Sequence, residues 1–221
     1  MLGDTMTTRA VIFDLDGVLV DSEQTWDEVR RAVTAVHGGR WAPDATRAMQ
    51  GMSTPEWASY LVEQLGAGLS PDRIAEVVID EMVRRYAARP PILPHAEATV
   101  RAIAERWPVA IASSSPPVLI DAFLAATDLT RLVPVAVSSE QVPAGKPAPD
   151  VYLEAARRLG VPARACVAVE DSTNGLRAAL AAGMTVFAVP NPHFPPDPDV
   201  LARVHVVLDE IGALPGALAT P

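Results

Sequence analysis

Cysteine is nearly absent from this 221-residue chain, which contains a single one, Cys166. An internal disulfide is therefore excluded, and the composition fits a reducing cytoplasm. Long apolar runs are also missing, because none approaches the roughly 18 residues that a membrane span requires. The N-terminal segment MLGDTMTTR lacks the charged-then-apolar layout of a signal peptide. We therefore expect a soluble, cytoplasmic protein with no membrane partner.

Positive charge is scarce as well, since the chain has 18 basic against 27 acidic residues and a formal net charge of -9. Such a chain lacks the non-specific electrostatic attraction that draws proteins to nucleic acid or to anionic membrane surfaces. A small anion would have to be bound by local positive groups. The rest of the composition, 49% hydrophobic and 20% charged, is that of an ordinary globular protein, and a monomer is compatible with it.

Short apolar segments alternate with longer helical ones along most of the chain. The strand candidates are residues 10–14, 109–113, 132–137, 166–170, 185–189 and 204–208. The helix candidates between them are residues 95–107, 116–127, 148–160 and 172–183. Uninterrupted apolar strands of this length suit a parallel sheet that helices cover on both faces. The pattern predicts an α/β protein with a doubly wound, Rossmann-like parallel sheet.

One region, from about residue 22 to residue 89, breaks this alternation because it contains no convincing strand. Ser53 and Glu56 have the spacing of a capping box, and Pro55 follows in the first turn of the helix that they open. A second helix opens at Ser70 and runs to the proline-rich segment RPPILP, which ends it. The region is predicted to be wholly helical.

This helical region predicts a division of the chain into two parts. Residues 1–21 and 95–221 are expected to form an α/β catalytic core, with residues 22–94 inserted into it as a helical cap. Hinge segments are expected at both ends of the cap. The name "cap" is used below for residues 22–94.

Groups suited to binding a metal and a phosphate follow several of the predicted strands, and in a doubly wound sheet ligands bind beyond the carboxyl ends of the strands. The candidates are Asp14 and Asp16 after the first strand, Ser113, Ser114 and Ser115 after the second, Glu170 and Asp171 after the fourth, and Lys146 before a helix. Carboxylate oxygens bind magnesium, while lysine, hydroxyls and backbone amides at a helix N-terminus bind phosphoryl oxygens. Together these groups predict a magnesium and phosphate site.

The two-residue spacing of Asp14 and Asp16 has a geometric meaning. Alternate residues of an extended strand point to the same side, so both carboxylates are expected to reach one pocket. Gly17 then permits a sharp turn beneath that pocket.

Four motifs follow one another in an order that marks a known family: FDLDGVLVDSE (13–23), ASSS (112–115), GKPAPDVY (145–152) and VEDSTNG (169–175). The sequence resembles the haloacid dehalogenase-like phosphatase superfamily over nearly its full length. The resemblance is to the branch with a helical cap after the first motif, which includes sugar phosphatases and β-phosphoglucomutases. It implies a magnesium-dependent hydrolase that cleaves a small phosphomonoester through an aspartyl-phosphate intermediate.

The resemblance also implies a role for each matching residue. Asp14 would be the nucleophile, and Asp16 the general acid and base. The phosphate would be bound by Ser113, Ser114 and Lys146. The metal would be bound by Asp14, by Asp16 through its backbone carbonyl, and by Asp171. Glu170 would either coordinate the metal or hold a metal-bound water.

A phosphosugar mutase is the main alternative to a hydrolase. Close β-phosphoglucomutase relatives carry basic groups or histidine near positions where this chain has Gln50, Thr54, Trp26 and Pro116. A mutase must hold a second phosphate, so their absence favours a hydrolase. The segment DSEQTW (21–26) resembles the D-S-E-x-x-W segment of hexose-phosphate phosphatases and favours a sugar or polyol phosphate as substrate.

Two further alternatives are a receiver-type signalling module and a sensor that binds a sugar phosphate without turnover. A signalling module needs a long-lived acyl phosphate, which a base at Asp16 would shorten. The complete set of catalytic carboxylates argues against a sensor.

Several residues also have a purely structural interpretation. Glu170 and Asp171 could cap the following helix, and Ser115 is more simply a cap before two prolines. Cys166 is expected to be buried and inert. His37, His95 and His205 are expected to be structural or exposed, and His193 could line the site. The cap residues with a possible substrate role are Trp26, Trp41 and Trp57, which are more simply core residues, and Arg47, Arg84 and Arg85.

Overall fold

The computed structural model describes residues 8–49, 52–192 and 195–219, and these residues contain a six-stranded parallel sheet. The strands are β1 (Ala10–Phe13), β2 (Val109–Ser113), β3 (Val135–Ser138), β4 (Cys166–Glu170), β5 (Thr185–Ala188) and β6 (Val206–Val207). They lie in the order β3-β2-β1-β4-β5-β6, so the direction of winding reverses between β1 and β4. This confirms the predicted doubly wound α/β fold and all six strands.

Two strands are shorter than predicted by two or three residues. β3 begins at Val135 rather than at residue 132, since Pro134 has no amide proton to donate to a neighbouring strand. β6, at the edge of the sheet, has only two residues in regular pairing. The flanking Leu208 amide still donates a hydrogen bond to the carbonyl of Ala188 at 2.8 Å, so the chain on that side follows β5 beyond the strand.

The described part of the cap contains helices between residues 22 and 89 and no strand there, as predicted. They are α1 (Glu23–Val36), α2 (Ala45–Ala48), α3 (Thr54–Glu63) and α4 (Pro71–Ala88). The expected capping box opens α3, where Glu56 Oε2 accepts a hydrogen bond from the Ser53 amide at 2.7 Å. Ser70 opens α4, because its hydroxyl accepts a hydrogen bond from the amide of Arg73 at 3.3 Å.

The two chain segments that join the cap to the sheet run side by side. Val20 forms an isolated antiparallel bridge with Ile92. Next to it, the amide of Leu93 donates a hydrogen bond to the carbonyl of Leu19 at 3.0 Å. Both crossings therefore lie close to the end of β1. The division into a core and a cap that moves on hinges stays a prediction.

Six further helices complete the described residues: α5 (Ala96–Ala104), α6 (Pro117–Ala126), α7 (Asp150–Leu159), α8 (Thr173–Ala181), α9 (Pro198–Leu201) and α10 (Leu214–Ala219). Because side chains alternate along a strand, Val11 and Phe13 of β1 pack with α5 and α6, whereas Ala10 and Ile12 pack with α7 and α8. The cap joins the first of these two cores, and α4 packs directly against α6.

The four predicted helices of the core are confirmed, with ends a few residues shorter than expected. Within the described ranges, no helix combines the length and the hydrophobicity that crossing a membrane demands.

Candidate active site

The site forms where the sheet reverses its winding, at the carboxyl ends of β1 and β4. Glu170 is the last residue of β4 and is fully buried. Asp14 directly follows β1, and its amide donates a hydrogen bond to the carbonyl of Val169 at 2.9 Å. Only 5% of the surface of Asp14 is exposed. Strand pairing thus places two carboxylates side by side at the position where doubly wound sheets bind ligands.

Lys146, the only lysine of the chain, joins these two carboxylates. Its Nζ lies 2.6 Å from Asp14 Oδ1 and 2.6 Å from Glu170 Oε1, and its side chain is almost fully buried. Burial favours the neutral amine, but the charges of Asp14 and Glu170 outweigh it and raise the pKa of Lys146. Lys146 is therefore a fixed positive charge at the floor of the site.

The Glu170 carboxylate accepts several further hydrogen bonds. Tyr152 of α7 donates its hydroxyl to Oε1 at 2.9 Å, and burial raises the pKa of this tyrosine well above its ordinary value, which keeps it a donor. Oε2 accepts from the amides of Asp171 and Ser172, at 3.0 and 3.1 Å, and from the Ser172 hydroxyl. Glu170 is thus a possible metal ligand, and it also has a structural role, because it accepts the hydrogen bonds of two backbone amides before α8.

Asp14, Glu170 and Asp171 form an acidic cluster in which one carboxylate oxygen of each lies within 4.8 Å of the others. Burial raises the pKa of Asp14 to about 8, although the positive charge of Lys146 acts to lower it. Burial, with the charges of Glu170 and Asp14, also raises the pKa of Asp171 well above its ordinary value. The buried Asp171 Oδ1 has no hydrogen-bond partner among the described residues. A hard divalent cation fits this oxygen-only set, since it would give that atom a partner and favour the ionised carboxylates.

Two glycines make room for this cluster. Gly17 has a φ of +83°, and a Cβ at this position would lie 2.0 Å from Asp171 Oδ2. Its predicted role in a sharp turn is confirmed. A Cβ on Gly175, in the first turn of α8, would lie 1.7 Å from Glu170 Oε1. The carboxylates therefore pack directly against backbone that bears no side chain.

Asp16 faces the same cavity as Asp14, in agreement with the expected two-residue alternation. Its Oδ1 accepts hydrogen bonds from the Ser22 hydroxyl at 2.5 Å and from Trp26 Nε1 at 3.4 Å. Its Oδ2 accepts from the hydroxyls of Ser115 at 2.6 Å and Ser113 at 3.2 Å. Asp16 is thus held from two sides, by the start of the cap and by the end of β2. Its contribution of a backbone carbonyl to a metal stays a prediction.

The three serines at the end of β2, Ser113, Ser114 and Ser115, have different surroundings. Ser113 is fully buried and binds Asp16 and the amide of Ser115, whereas Ser114 and Ser115 line the cavity. Ser115 was expected to act only as a cap, but the structure places its hydroxyl on Asp16. The chain bends at Ser114 and Ser115, directly after β2, and the hydroxyl of Ser115 donates to Asp16 there. Phosphate binding by Ser113 and Ser114 stays a prediction.

A cavity of about 120 Å³ lies between the sheet edge and the cap. The lining residues from the core are Asp14, Asp16, Ser114, Ser115, Pro116, Lys146, Asp171 and Ser172. The lining residues from the cap are Ser22, Glu23, Trp26, Arg30, Met49, Met52, Thr54 and Trp57. Sequence reasoning missed Arg30. The spacing of Glu23, Trp26 and Arg30 directly after the first motif could have indicated it, because these positions share one helix face.

The other candidates of the cap lie away from this cavity. Arg84 and Arg85 pair with Glu81, and Arg85 also pairs with Glu28. Arg47 is exposed and does not line the cavity. Trp26 and Trp57 are buried core residues, as expected, and also form part of the cavity wall.

The cysteine and the described histidines do not line the cavity either. Cys166 is buried, as predicted, and burial raises the pKa of its thiol to about 11. His205 Nδ1 accepts a hydrogen bond from the amide of Val186 at 3.0 Å, which is a structural role. His193 and Gln50 lie outside the described residues.

Comparison with known protein families gives a match over most of the chain. The family model of haloacid dehalogenase-like hydrolase matches residues 8–183. The chain belongs to the haloacid dehalogenase-like hydrolase family. The expected family resemblance is thereby confirmed, and the match spans every motif on which it was based.

Two curated relatives of this haloacid dehalogenase-like hydrolase come from Escherichia coli (strain K12). Hexitol phosphatase B is 36% identical over 202 residues, covering 88% of this chain and 90% of the relative. Fructose-1-phosphate phosphatase YqaB is 32% identical over 174 residues, covering 79% of this chain and 92% of the relative. Among solved structures, CbbY from Rhodobacter sphaeroides in complex with phosphate superposes with a TM-score of 0.82 at 26% identity, over 94% of this chain and 96% of that one.

Proposed function

We propose that this protein is a magnesium-dependent phosphatase that hydrolyses a sugar or polyol monophosphate through an aspartyl-phosphate on Asp14. One observation carries the proposal: Asp14 lies in an acidic, metal-suited cluster with Lys146 on one of its oxygens, and Asp16 faces the same cavity. The hexitol and fructose-1-phosphate phosphatases among its relatives support the substrate class. The cytoplasmic location expected from the composition stays a prediction.

In the first step, a carboxylate oxygen of Asp14 attacks phosphorus, and the bond between phosphorus and the substrate oxygen breaks. Asp16 transfers its proton to that departing oxygen, so the product leaves as an alcohol. In the second step, Asp16 takes a proton from a water molecule whose oxygen attacks phosphorus. Inorganic phosphate then leaves and the Asp14 carboxylate is restored.

Lys146 stabilises both steps because its buried positive charge lies beside the carboxylate that receives the phosphoryl group. Magnesium bound by Asp14, Glu170 and Asp171 would supply further positive charge next to the phosphoryl oxygens. Ser114 lines the cavity in the bend before α6, where its hydroxyl and amide can donate to the phosphate, whereas the hydroxyl and amide of Ser115 bind Asp16 and Ser113. The cap closes the other side of the cavity and excludes water from the reacting groups.

The decisive experiment measures inorganic phosphate release from a panel of sugar, polyol and nucleoside monophosphates, with magnesium or with a chelator. Asp14→Asn removes the nucleophile and is expected to abolish release. Asp209→Asn is the matched control, since Asp209 is exposed and distant from the cavity lining. Release that continues in Asp14→Asn, or that ignores the chelator, would contradict the proposal.

The mutase alternative is tested in the same assay. A β-phosphoglucomutase-like enzyme would isomerise a sugar phosphate without net release of phosphate. A sensor would bind ligand and release nothing, and either result would replace the phosphatase proposal.

A further inference from the structure

Helix α1 of the cap presents one face to the cavity above Asp14 and Asp16. Glu23, Trp26 and Arg30 of this helix all line the cavity, and their positions i, i+3 and i+7 fall on the same side of an α-helix. Arg30 is the only basic residue besides Lys146 that the described residues contribute to the cavity wall. It lies on the cap side, whereas Lys146 lies on the core side.

Arg30 is held by two aromatic rings and not by a carboxylate. Its guanidinium carbon lies 4.6 Å from the ring centroid of Trp26 and 4.9 Å from that of Trp57. The described residues place no carboxylate within 4.0 Å of it, and its buried Nε has no hydrogen-bond partner among them. Burial lowers the pKa of Arg30 to about 10, which leaves it charged at neutral pH. A charged donor is therefore fixed in place with unused hydrogen-bonding capacity.

Glu23 supplies the complementary acceptor. It lines the same cavity two turns earlier on α1, and the described residues give its carboxylate neither a hydrogen bond nor an ion pair. Among the charged groups near Arg30, Glu23 has the strongest electrostatic effect on it. The cap wall thus offers donors and acceptors whose charges offset each other.

We propose that Arg30 and Glu23 bind the uncharged, hydroxyl-bearing end of the substrate and select monophosphates of polyhydroxy compounds over substrates with a second anionic group. This inference rests on the proposed phosphatase function and specifies its substrate. A hydroxyl both donates and accepts hydrogen bonds, so neighbouring hydroxyls satisfy Arg30 and Glu23 together. A second phosphate only accepts, and it would meet the negative charge of Glu23.

The same pair argues against the mutase alternative. Arg30 is a positive group of the kind that could hold a second phosphate, but Glu23 offsets its charge within the same wall. The two residues therefore favour a substrate end that carries hydroxyls over one that carries a second phosphate.

The test compares kcat/KM for a hexitol monophosphate, a hexose bisphosphate and p-nitrophenyl phosphate. Arg30→Met is expected to lower kcat/KM for the hexitol monophosphate about tenfold or more, mainly by raising KM. The substitution removes the hydrogen bonds that the charged guanidinium donates to the substrate hydroxyls. The change with p-nitrophenyl phosphate, which carries no hydroxyls, is expected to be much smaller. Arg30→Lys, which keeps the charge, is expected to lie between Arg30→Met and the wild type.

Glu23→Gln is expected to raise kcat/KM for the bisphosphate, relative to kcat/KM for the monophosphate, about fivefold or more, because the repelling charge is removed. The matched control is Arg31→Met, at the next position of α1, whose guanidinium pairs with Asp27 at 2.8 Å on the protein surface. Its kinetics are expected to resemble those of the wild type with all three substrates.

Calorimetric binding of the two sugar phosphates to Asp14→Asn provides a measurement that does not depend on turnover. Preferential binding of the hexitol monophosphate, reduced when Arg30→Met is added, would support the inference even if phosphate release failed and the proposed function fell. Equal or tighter binding of the bisphosphate would overturn it. Equal losses of activity toward the hexitol phosphate and p-nitrophenyl phosphate in Arg30→Met would also overturn it, because they would indicate a merely structural role.

Discussion

Gly175→Ala provides a sharp test of how the acidic cluster is packed. The new Cβ would lie 1.7 Å from Glu170 Oε1 and 1.9 Å from its Cδ, distances at which one of the two groups must move. Glu170 cannot move freely, because Lys146, Tyr152 and two backbone amides hold its carboxylate. The substitution therefore sets helix propensity against the packing of the buried Glu170 carboxylate.

The two effects have opposite signs. In an ordinary helix, alanine in place of glycine stabilises by about 1 kcal/mol. Overpacking a buried site costs roughly 1–3 kcal/mol, and each lost hydrogen bond to a charged group costs about 1.5–3 kcal/mol more. We expect a net destabilisation of about 2 kcal/mol or more, which for a chain of this size lowers Tm by about 4–8 °C.

Thermal unfolding followed by circular dichroism, with and without magnesium, measures this change. Gly216→Ala is the matched control, since Gly216 is also helical and a Cβ there meets nothing within 4 Å. The control is expected to leave Tm unchanged or slightly raised. If Gly175→Ala proved as stable as the control and kept its magnesium affinity, the inferred contact between Glu170 and α8 would be wrong.

Three further predictions concern Asp14, Asp16 and Cys166. First, Asp14 has a pKa of about 8 in the folded protein against 3.8 for an ordinary aspartate, so without metal the folded state holds the extra proton between these values and loses stability as pH rises through them. Magnesium, which replaces that proton, should therefore raise Tm more at pH 8 than at pH 6, and an equal rise at both would refute this reasoning. Second, Asp16→Asn should still be phosphorylated by p-nitrophenyl phosphate, whose leaving group needs no proton, but should accumulate the aspartyl-phosphate. Rapid steady turnover in a stopped-flow assay would exclude Asp16 as the base. Third, Cys166, buried and with a pKa of about 11, should react with a thiol reagent at pH 8 only after unfolding, and fast labelling of the native protein would contradict this.

The acidic cluster is a site at which a divalent cation and protons would compete. One buried lysine stands among the carboxylates of Asp14, Glu170 and Asp171, so ionising all three leaves uncompensated negative charge. Burial, together with this surplus of negative charge, raises the pKa values of Asp14 and Asp171, so these carboxyls hold protons. A bound cation would replace those protons, so metal binding, protonation and stability would be coupled in one set of residues.

Much of the fold could be predicted because its signals are local. The apolar strands at Ala10–Phe13 and Cys166–Glu170 are uninterrupted in the sequence, and each ends at acidic residues. Since parallel strands end at one edge of a sheet, the meeting of Asp14 with Glu170 followed from their positions alone. The capping box at Ser53 and Glu56 likewise depends on a spacing of three residues.

The contacts that sequence reasoning missed depend on packing between distant segments. The hydroxyl of Ser115, in the bend that follows β2, donates to Asp16, and Arg30 of α1 lines the cavity from the side of the cap. Gly175 carries no local signal of its role, because nothing in the neighbouring sequence indicates that the Glu170 carboxylate occupies the space of a side chain there.

By itself, the sequence determined the six strands and the motifs at their ends, the helical character of the cap and the family, because hydrophobic periodicity and short motifs encode these locally. Only the tertiary structure decided the order of the strands in the sheet, which serines face the cavity, which arginine of the cap lines it and which glycines the carboxylates require. The last three outcomes depend on the direction of individual side chains where three separate segments meet, and that direction is set by packing rather than by local spacing.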